Sequence, residues 1–163
     1  MAPQGFLAGG VFCDIKRLGT GKGSDKGRKR DLCLLVSETP AAVAGLFTTN
    51  QICAAPVKVC VSRVAKGVAQ AVVINSGNAN AATGEPGHAD ALAICRALEQ
   101  KANLPTDTTL PFSTGVIGQR LPVERIVDGL DAAIARARPD GWVDAAHAIM
   151  TTDTGPKAVS RRV

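Results

Sequence analysis

Three clusters of small and hydroxyl-bearing residues hold most of the chemical potential of this 163-residue chain. One, Ser113-Thr114-Gly115-Val116-Ile117-Gly118, sets a hydroxyl beside a glycine. An oxyanion hole needs two fixed donors aimed where negative charge develops, and glycine lets a reacting group come close to the backbone. The same pattern also serves a plain turn capped by Thr114. A second cluster, Asn75-Ser76-Gly77-Asn78-Ala79-Asn80-Ala81-Ala82-Thr83-Gly84, holds more turn-forming residues than one tight turn needs. A ligand-facing role and a structural turn both fit it. The third, Thr151-Thr152-Asp153-Thr154, offers hydroxyls and a carboxylate that can bond the ammonium and carboxylate of an amino acid, or can simply end a helix. The usual nucleophile signatures (a serine elbow, a Cys–His pair, a Walker loop) are absent. His88 and His147 read as helix-surface or capping residues.

Each cluster must be held by an element beside it. Asp31–Ser37 reads as a buried strand, Val43–Phe47 as a second entered through Thr39-Pro40, and Ala55–Val61 as a third with its proline near the start. Ala71–Ile74, β-branched and stopped by Asn75-Ser76-Gly77-Asn78, is the clearest strand. From Gly87 to Ala102, the apolar residues Ala91, Ile94, Cys95 and Leu98 recur at helical spacing. A short strand, Thr109–Ser113, leads into the Thr114 cluster. Pro122 opens a helix whose apolar face runs through Ile126, Leu130 and Ile134, and Pro139-Asp140-Gly141 ends it. A last helix, about residues 142–150, runs into the third cluster. Strands come mainly first and helices later, which predicts an α+β fold rather than a regularly wound parallel sheet.

Composition narrows the function. Residues 1–30 carry seven basic and two acidic side chains, while the other 133 residues are balanced at twelve of each. The net charge of +5 therefore belongs to residues 1–30, whose basic side chains all lie in one Gly/Lys-rich segment, 16–30. It reads as a solvated loop: with four Phe, one Trp and no Tyr, the chain lacks the rings that nucleic-acid platforms use. No apolar run reaches the roughly 20 residues a membrane helix needs, and the start shows no secretory signal. Five cysteines with no Cys-x-x-Cys pair, and no histidine near a cysteine pair, predict a reduced cytoplasmic protein without a metal site.

In this order the motifs resemble the ornithine acetyltransferases of arginine biosynthesis, the bifunctional glutamate N-acetyltransferases. The matching stretches are Asp31-Leu32-Cys33-Leu34, Ala44-Gly45-Leu46-Phe47-Thr48-Thr49-Asn50, Ala54-Ala55-Pro56-Val57, Asn75-Ser76-Gly77-Asn78-Ala79-Asn80, Ser113-Thr114-Gly115-Val116-Ile117-Gly118 and Ala148-Ile149-Met150-Thr151-Thr152-Asp153-Thr154. The resemblance spans nearly the whole chain and identifies it with the family's amino-terminal, or α, portion.

The resemblance implies a precursor cut before a threonine, giving an α chain (here the single lobe 1–163) and a β chain whose new terminus is the nucleophile. It implies a layered αββα sandwich, like that of self-processing amino-terminal-nucleophile aminopeptidases, completed by the β chain in an αβ hetero-oligomer such as a heterotetramer. The reaction would be ping-pong transfer of acetyl from N-acetyl-L-ornithine to L-glutamate. No cofactor is expected, with acetyl-coenzyme A as an alternative donor. By resemblance, Thr114 (hydroxyl) and Gly115 (backbone N–H) form the oxyanion hole, and Thr152 and Thr154 hold the amino-acid substrate. The family's cleavage junction and the lysine preceding it have no counterpart before Val163, so the chain by itself is expected to be inactive. Two other functions remain open at this level: a related amidohydrolase or aminopeptidase, and a non-catalytic module binding an anionic partner through Lys26, Arg28, Lys29 and Arg30.

Overall fold

The computed structural model describes residues 2–16 and 29–162. Most of the basic segment 16–30 thus lies outside the described residues. Four strands form one sheet in the order β1-β2-β3-β4: β1 (Phe6–Val11), β2 (Leu32–Ala42), β3 (Val68–Asn78) and β4 (Thr109–Val116). The first three are antiparallel, and β3 and β4 run parallel. A parallel pair needs a crossover, and here α2 (Gly84–Lys101) supplies it. The other described helices are α1 (Ala55–Val64), α3 (Val123–Arg136) and α4 (Trp142–Ala148).

Alternation along the strands sorts residues between the two faces. Leu32, Leu34, Ala71 and Val73 point to one face and pack against Ile94 and Leu98 of α2 and Ile126 and Leu130 of α3. On the opposite face Cys33 meets Ala145 and Ala148 of α4. That helix covers only part of the face. Phe6, Leu35, Val72 and Trp142 line an open apolar trough of about 310 Å³, and Phe112 of β4 is 46% exposed. The α+β layered reading holds, as does the apolar stripe of α2.

Four local expectations are corrected. Residues 55–61 are helical: Pro56 sits in the first turn, where its missing N–H costs nothing, and the buried residues Val59, Cys60 and Arg63 follow helical spacing. The valines at alternate positions mimicked a strand, but packing against β4 and α2 overrides β propensity. Residues 43–47 form no strand. Instead β2 runs on through Thr39-Pro40 to Ala42, with a register shift between Val36 and Ala41 that accommodates the proline. Strand β1 escaped the sequence reading because Phe-Leu-Ala-Gly-Gly-Val lacks β-branched alternation. Its glycine is needed, since a methyl group at Gly10 would meet the Asp144 carbonyl of α4 at 2.3 Å. Finally, β4 continues past Ser113 to Val116, so Thr114 and Gly115 lie in strand register and not in a connection.

One buried ion pair ties α1 to α2 and β4. Arg63 Nη1 lies 2.6 Å from Glu99 Oε1, with the two side chains 3% and 4% exposed. Arg63 also donates to the Thr109 carbonyl, and Glu99 accepts from the Thr109 N–H at 3.1 Å. Removing one partner strands the other charge in the interior. Arg63→Ala is expected to cost about 3–5 kcal/mol of unfolding free energy, and Arg63→Met with Glu99→Leu far less. Urea denaturation of the three proteins checks this; equal losses in the single and double variants would contradict it.

Candidate active site

The pairing register brings one end of every strand together. Val11 of β1 faces Leu32 at the start of β2, Leu32 faces Asn75 near the end of β3, and Asn75 faces Ser113 of β4. All three hydroxyl-rich clusters approach this end. Thr114 is partly buried and pairs with Ser76, and Gly115 pairs with Gly77. The Thr114 hydroxyl makes no hydrogen bond to another described residue. It is free to serve a ligand.

The asparagines brace this corner. The Ser113 hydroxyl donates to Asn75 Oδ1 at 2.5 Å, and Asn75 Nδ2 donates to the Asn78 carbonyl at 2.8 Å. Asn78, 2% exposed, donates to the Gln119 and Arg120 carbonyls and accepts from the Asn80 N–H. The cluster at 75–84 is therefore a scaffold that fixes the connection after Thr114-Gly115. Its buried asparagine side chains bond backbone groups and the Ser113 and Thr83 hydroxyls.

The glycines are packed to contact. Gly115 has φ +135°, and a methyl group there would lie 2.3 Å from the Gly77 carbonyl carbon and 2.6 Å from the Asn78 nitrogen. Gly77 has φ +109°, and its missing methyl would lie 2.7 Å from the Lys16 Cα. The backbone at residue 16 thus closes over the β3–β4 corner.

Asp31 holds that backbone in place, and sequence reasoning missed it. Its carboxylate, fully buried, accepts from the N–H groups of Cys13 and Ile15 at 2.6 Å each and of Lys16 at 3.2 Å. Its own carbonyl accepts from the Ser76 N–H at 2.8 Å. Burial pushes the Asp31 carboxyl above its usual range, opposed by those three donors and by the Lys16 ammonium. The available signal was an acid placed directly before an apolar strand, where a solvated boundary residue looks the same.

Thr152 and Thr154 lie exposed in irregular chain after α4. The structure brings this stretch toward Thr114 through one link: the hydroxyl of Ser76, Thr114's strand partner, donates to the Ala148 carbonyl. Their neighbours Thr151 and Asp153, rather than Thr152 and Thr154, line a cleft of about 280 Å³ shared with Lys16, Lys29, Arg30 and His147. Asp153 accepts from the Lys157 ammonium at 2.5 Å, which holds its carboxyl below the ordinary value. His147 is an exposed α4 residue, whereas His88 is half-buried in α2 with Nδ1 unpartnered among the described residues. Burial pushes the thiols of Cys13, Cys33 and Cys95 up to about 12 and that of Cys60 up to about 11. These four stay protonated at neutral pH and are poor nucleophiles.

A family model described as the ArgJ family matches residues 10–163. The chain belongs to the ArgJ family. Two ArgJ relatives, each named arginine biosynthesis bifunctional protein ArgJ, are 46% identical to it: one from Caldanaerobacter subterraneus subsp. tengcongensis over 97% of this chain, one from Symbiobacterium thermophilum over 99%. The chain spans 37% and 39% of their respective lengths. Two solved structures share the fold. The ArgJ structure from Bacillus halodurans superposes with a TM-score of 0.81 at 34% identity, covering 93% of this chain and 74% of that one. An ornithine acetyltransferase from Mycobacterium tuberculosis, complexed with ornithine, gives 0.80 at 39% identity over 94% and 79%. No helix among the described residues is long and apolar enough to cross a membrane.

Proposed function

We propose that this chain is the amino-terminal, α portion of an acetyltransferase that moves acetyl from N-acetyl-L-ornithine to L-glutamate in arginine biosynthesis. The observation that carries the reading is the ArgJ family match over residues 10–163. The likeness to an ornithine acetyltransferase complexed with ornithine supports it.

In this reading a threonine hydroxyl at the new amino terminus of a β chain attacks the acetyl carbonyl, ornithine leaves, and the amine of glutamate takes the acetyl group from the acyl-threonine. The α-amine freed by chain cleavage acts as the base, so no histidine is required. Each tetrahedral intermediate carries an oxyanion, stabilised by the Thr114 hydroxyl and the Gly115 N–H. The rigidity of the β3–β4 corner supports this assignment, because such donors work when they need no reorganisation as charge develops. Thr152 and Thr154, with Thr151 and Asp153 beside them, hold the amino-acid substrate. No cofactor takes part, and acetyl-coenzyme A is an alternative donor.

The open apolar trough on the sheet is where the β chain packs. Relatives of this family are more than twice as long as the chain, and the remainder needs an apolar seat. It would complete the αββα sandwich and give a cytoplasmic αβ hetero-oligomer. The test is to express the full-length protein, determine the mass and amino-terminal sequence of each chain, and assay acetyl transfer from N-acetylornithine to glutamate. Two chains, one beginning with threonine, and transfer that residues 1–163 do not perform unaided are the expected result. Hydrolysis without transfer would replace the reading with that of an amidohydrolase.

A further inference from the structure

We infer that the basic cleft beside the Gly77–Gly115 corner is a carboxylate subsite, with Lys29 as the charge that reads the side-chain carboxylate of a dicarboxylic amino acid. The inference rests on the acetyl-transfer reading and adds to it a basis for acceptor choice.

The Lys16 backbone lies against Gly77, directly across the strand pair from Gly115, and the Lys16 side chain lines the cleft. Lys29 and Arg30 line it too, together with Thr151 and Asp153. At about 280 Å³ the cleft sits near the lower end of small-molecule pockets, about 300 Å³, which suits an amino acid and is small for a nucleotide cofactor.

The cations of the cleft differ in how they are compensated. Arg30 pairs with Asp144 at 2.9 Å, and Asp153 with Lys157 at 2.5 Å. Lys16 faces the Asp31 carboxylate and donates to the Arg30 carbonyl at 2.5 Å. Lys29 has no ion pair or hydrogen bond with another described residue. Its field reaches Lys16, whose ammonium is held below the usual range first by burial and then further by Lys29, against the pull of Asp31. An anion entering the cleft relieves that repulsion.

The two amino acids of the reaction differ in the right way. When the α-amine is at the acyl carbon, glutamate extends a carboxylate and ornithine an ammonium. A cleft with excess positive charge favours glutamate as acceptor and repels ornithine from re-entering, so discrimination comes from repulsion as well as attraction.

Lys29 is exposed, so its replacement leaves the fold intact. In the full-length protein, Lys29→Gln should raise KM for glutamate about tenfold, the worth of about 1.4 kcal/mol, and Lys29→Glu more. The kcat should stay within about twofold, the KM for N-acetylornithine, whose side-chain ammonium meets the same charge, should fall and not rise, and turnover with glutamine as acceptor should not respond to Lys29→Gln. An unchanged KM for glutamate, or an equal rise for both substrates, overturns the assignment. Thermal shift with glutarate separates this from the activity reading: glutarate should raise the Tm of the wild type but not of Lys29→Glu. If the shift depends on Lys29 and no acetyl transfer is found, the cleft stands and the transferase reading falls. A glutarate shift indifferent to Lys29, or protection by inorganic phosphate but not glutarate, removes the carboxylate subsite.

Discussion

Gly115→Ala should reduce acetyl transfer by the full-length protein at least a hundredfold and destabilise it by about 2–5 kcal/mol. Two penalties add. An L-residue at positive φ costs about 1–2 kcal/mol, and Gly115 sits at φ +135°. The new methyl group would also lie 2.3 Å from the Gly77 carbonyl carbon, 2.6 Å from the Asn78 nitrogen and 2.7 Å from the Gly77 oxygen. All three are backbone atoms of the paired strand, so no side chain can rotate away. Overpacking of this kind costs about 1–3 kcal/mol more. Relief requires β3 and β4 to part at Ser76–Asn78, which displaces Thr114 as well. Gly67→Ala is the control: φ is +77° but nothing lies within 4 Å of the added methyl. It should lose only the conformational part, about 1–2 kcal/mol. Urea denaturation and transfer assays on both variants check the pair. If Gly115→Ala resembles Gly67→Ala in stability, the close approach of the strands is not a constraint.

Thr114→Ala should lower kcat for transfer by about 10²–10³ and leave the unfolding free energy nearly unchanged. Its side chain is partly buried and makes no hydrogen bond to another described residue, so little folding energy depends on it. A donor used only when the oxyanion forms affects kcat and kcat/KM together, with KM unaltered. Thr114→Ser keeps the hydroxyl and should retain most of the rate. Steady-state kinetics of the three proteins decide the matter, and full activity in Thr114→Ala would take Thr114 out of the proposed oxyanion hole.

Gly115 is constrained by contact, Thr114 is the proposed oxyanion donor beside it, and one strand pair positions both. The asparagines explain why the pair is rigid, since Asn75 and Asn78 tie β3 to β4 and to the connection that follows. Asp31 adds a second brace from outside the sheet. Its three accepted N–H bonds anchor residues 13–16 over Gly77, and Lys16 carries that anchorage to the edge of the basic cleft.

Much of this was legible in the residues. The stripes of α2 and α3, the β-branched run of β3, the α+β layering and the position of Thr114-Gly115 near a strand end all follow from local patterns. Periodicity and turn chemistry are short-range properties that survive without knowledge of the partner surface. The motif order was equally local, and it sufficed for the ArgJ resemblance. Residues 55–64 show where such reasoning stops. Their valines fit a strand, and only the docking of Cys60 and Arg63 on β4 and α2 makes them helical. Strand β1 was invisible because its glycines are selected by the helices that press on it, not by strand propensity. The roles of Asp31, Gly77 and Lys29 belong to tertiary structure for the same reason. Each acts on residues distant in sequence, and a buried carboxylate, a close backbone approach or an uncompensated charge exists only once the chain has brought its neighbours into place.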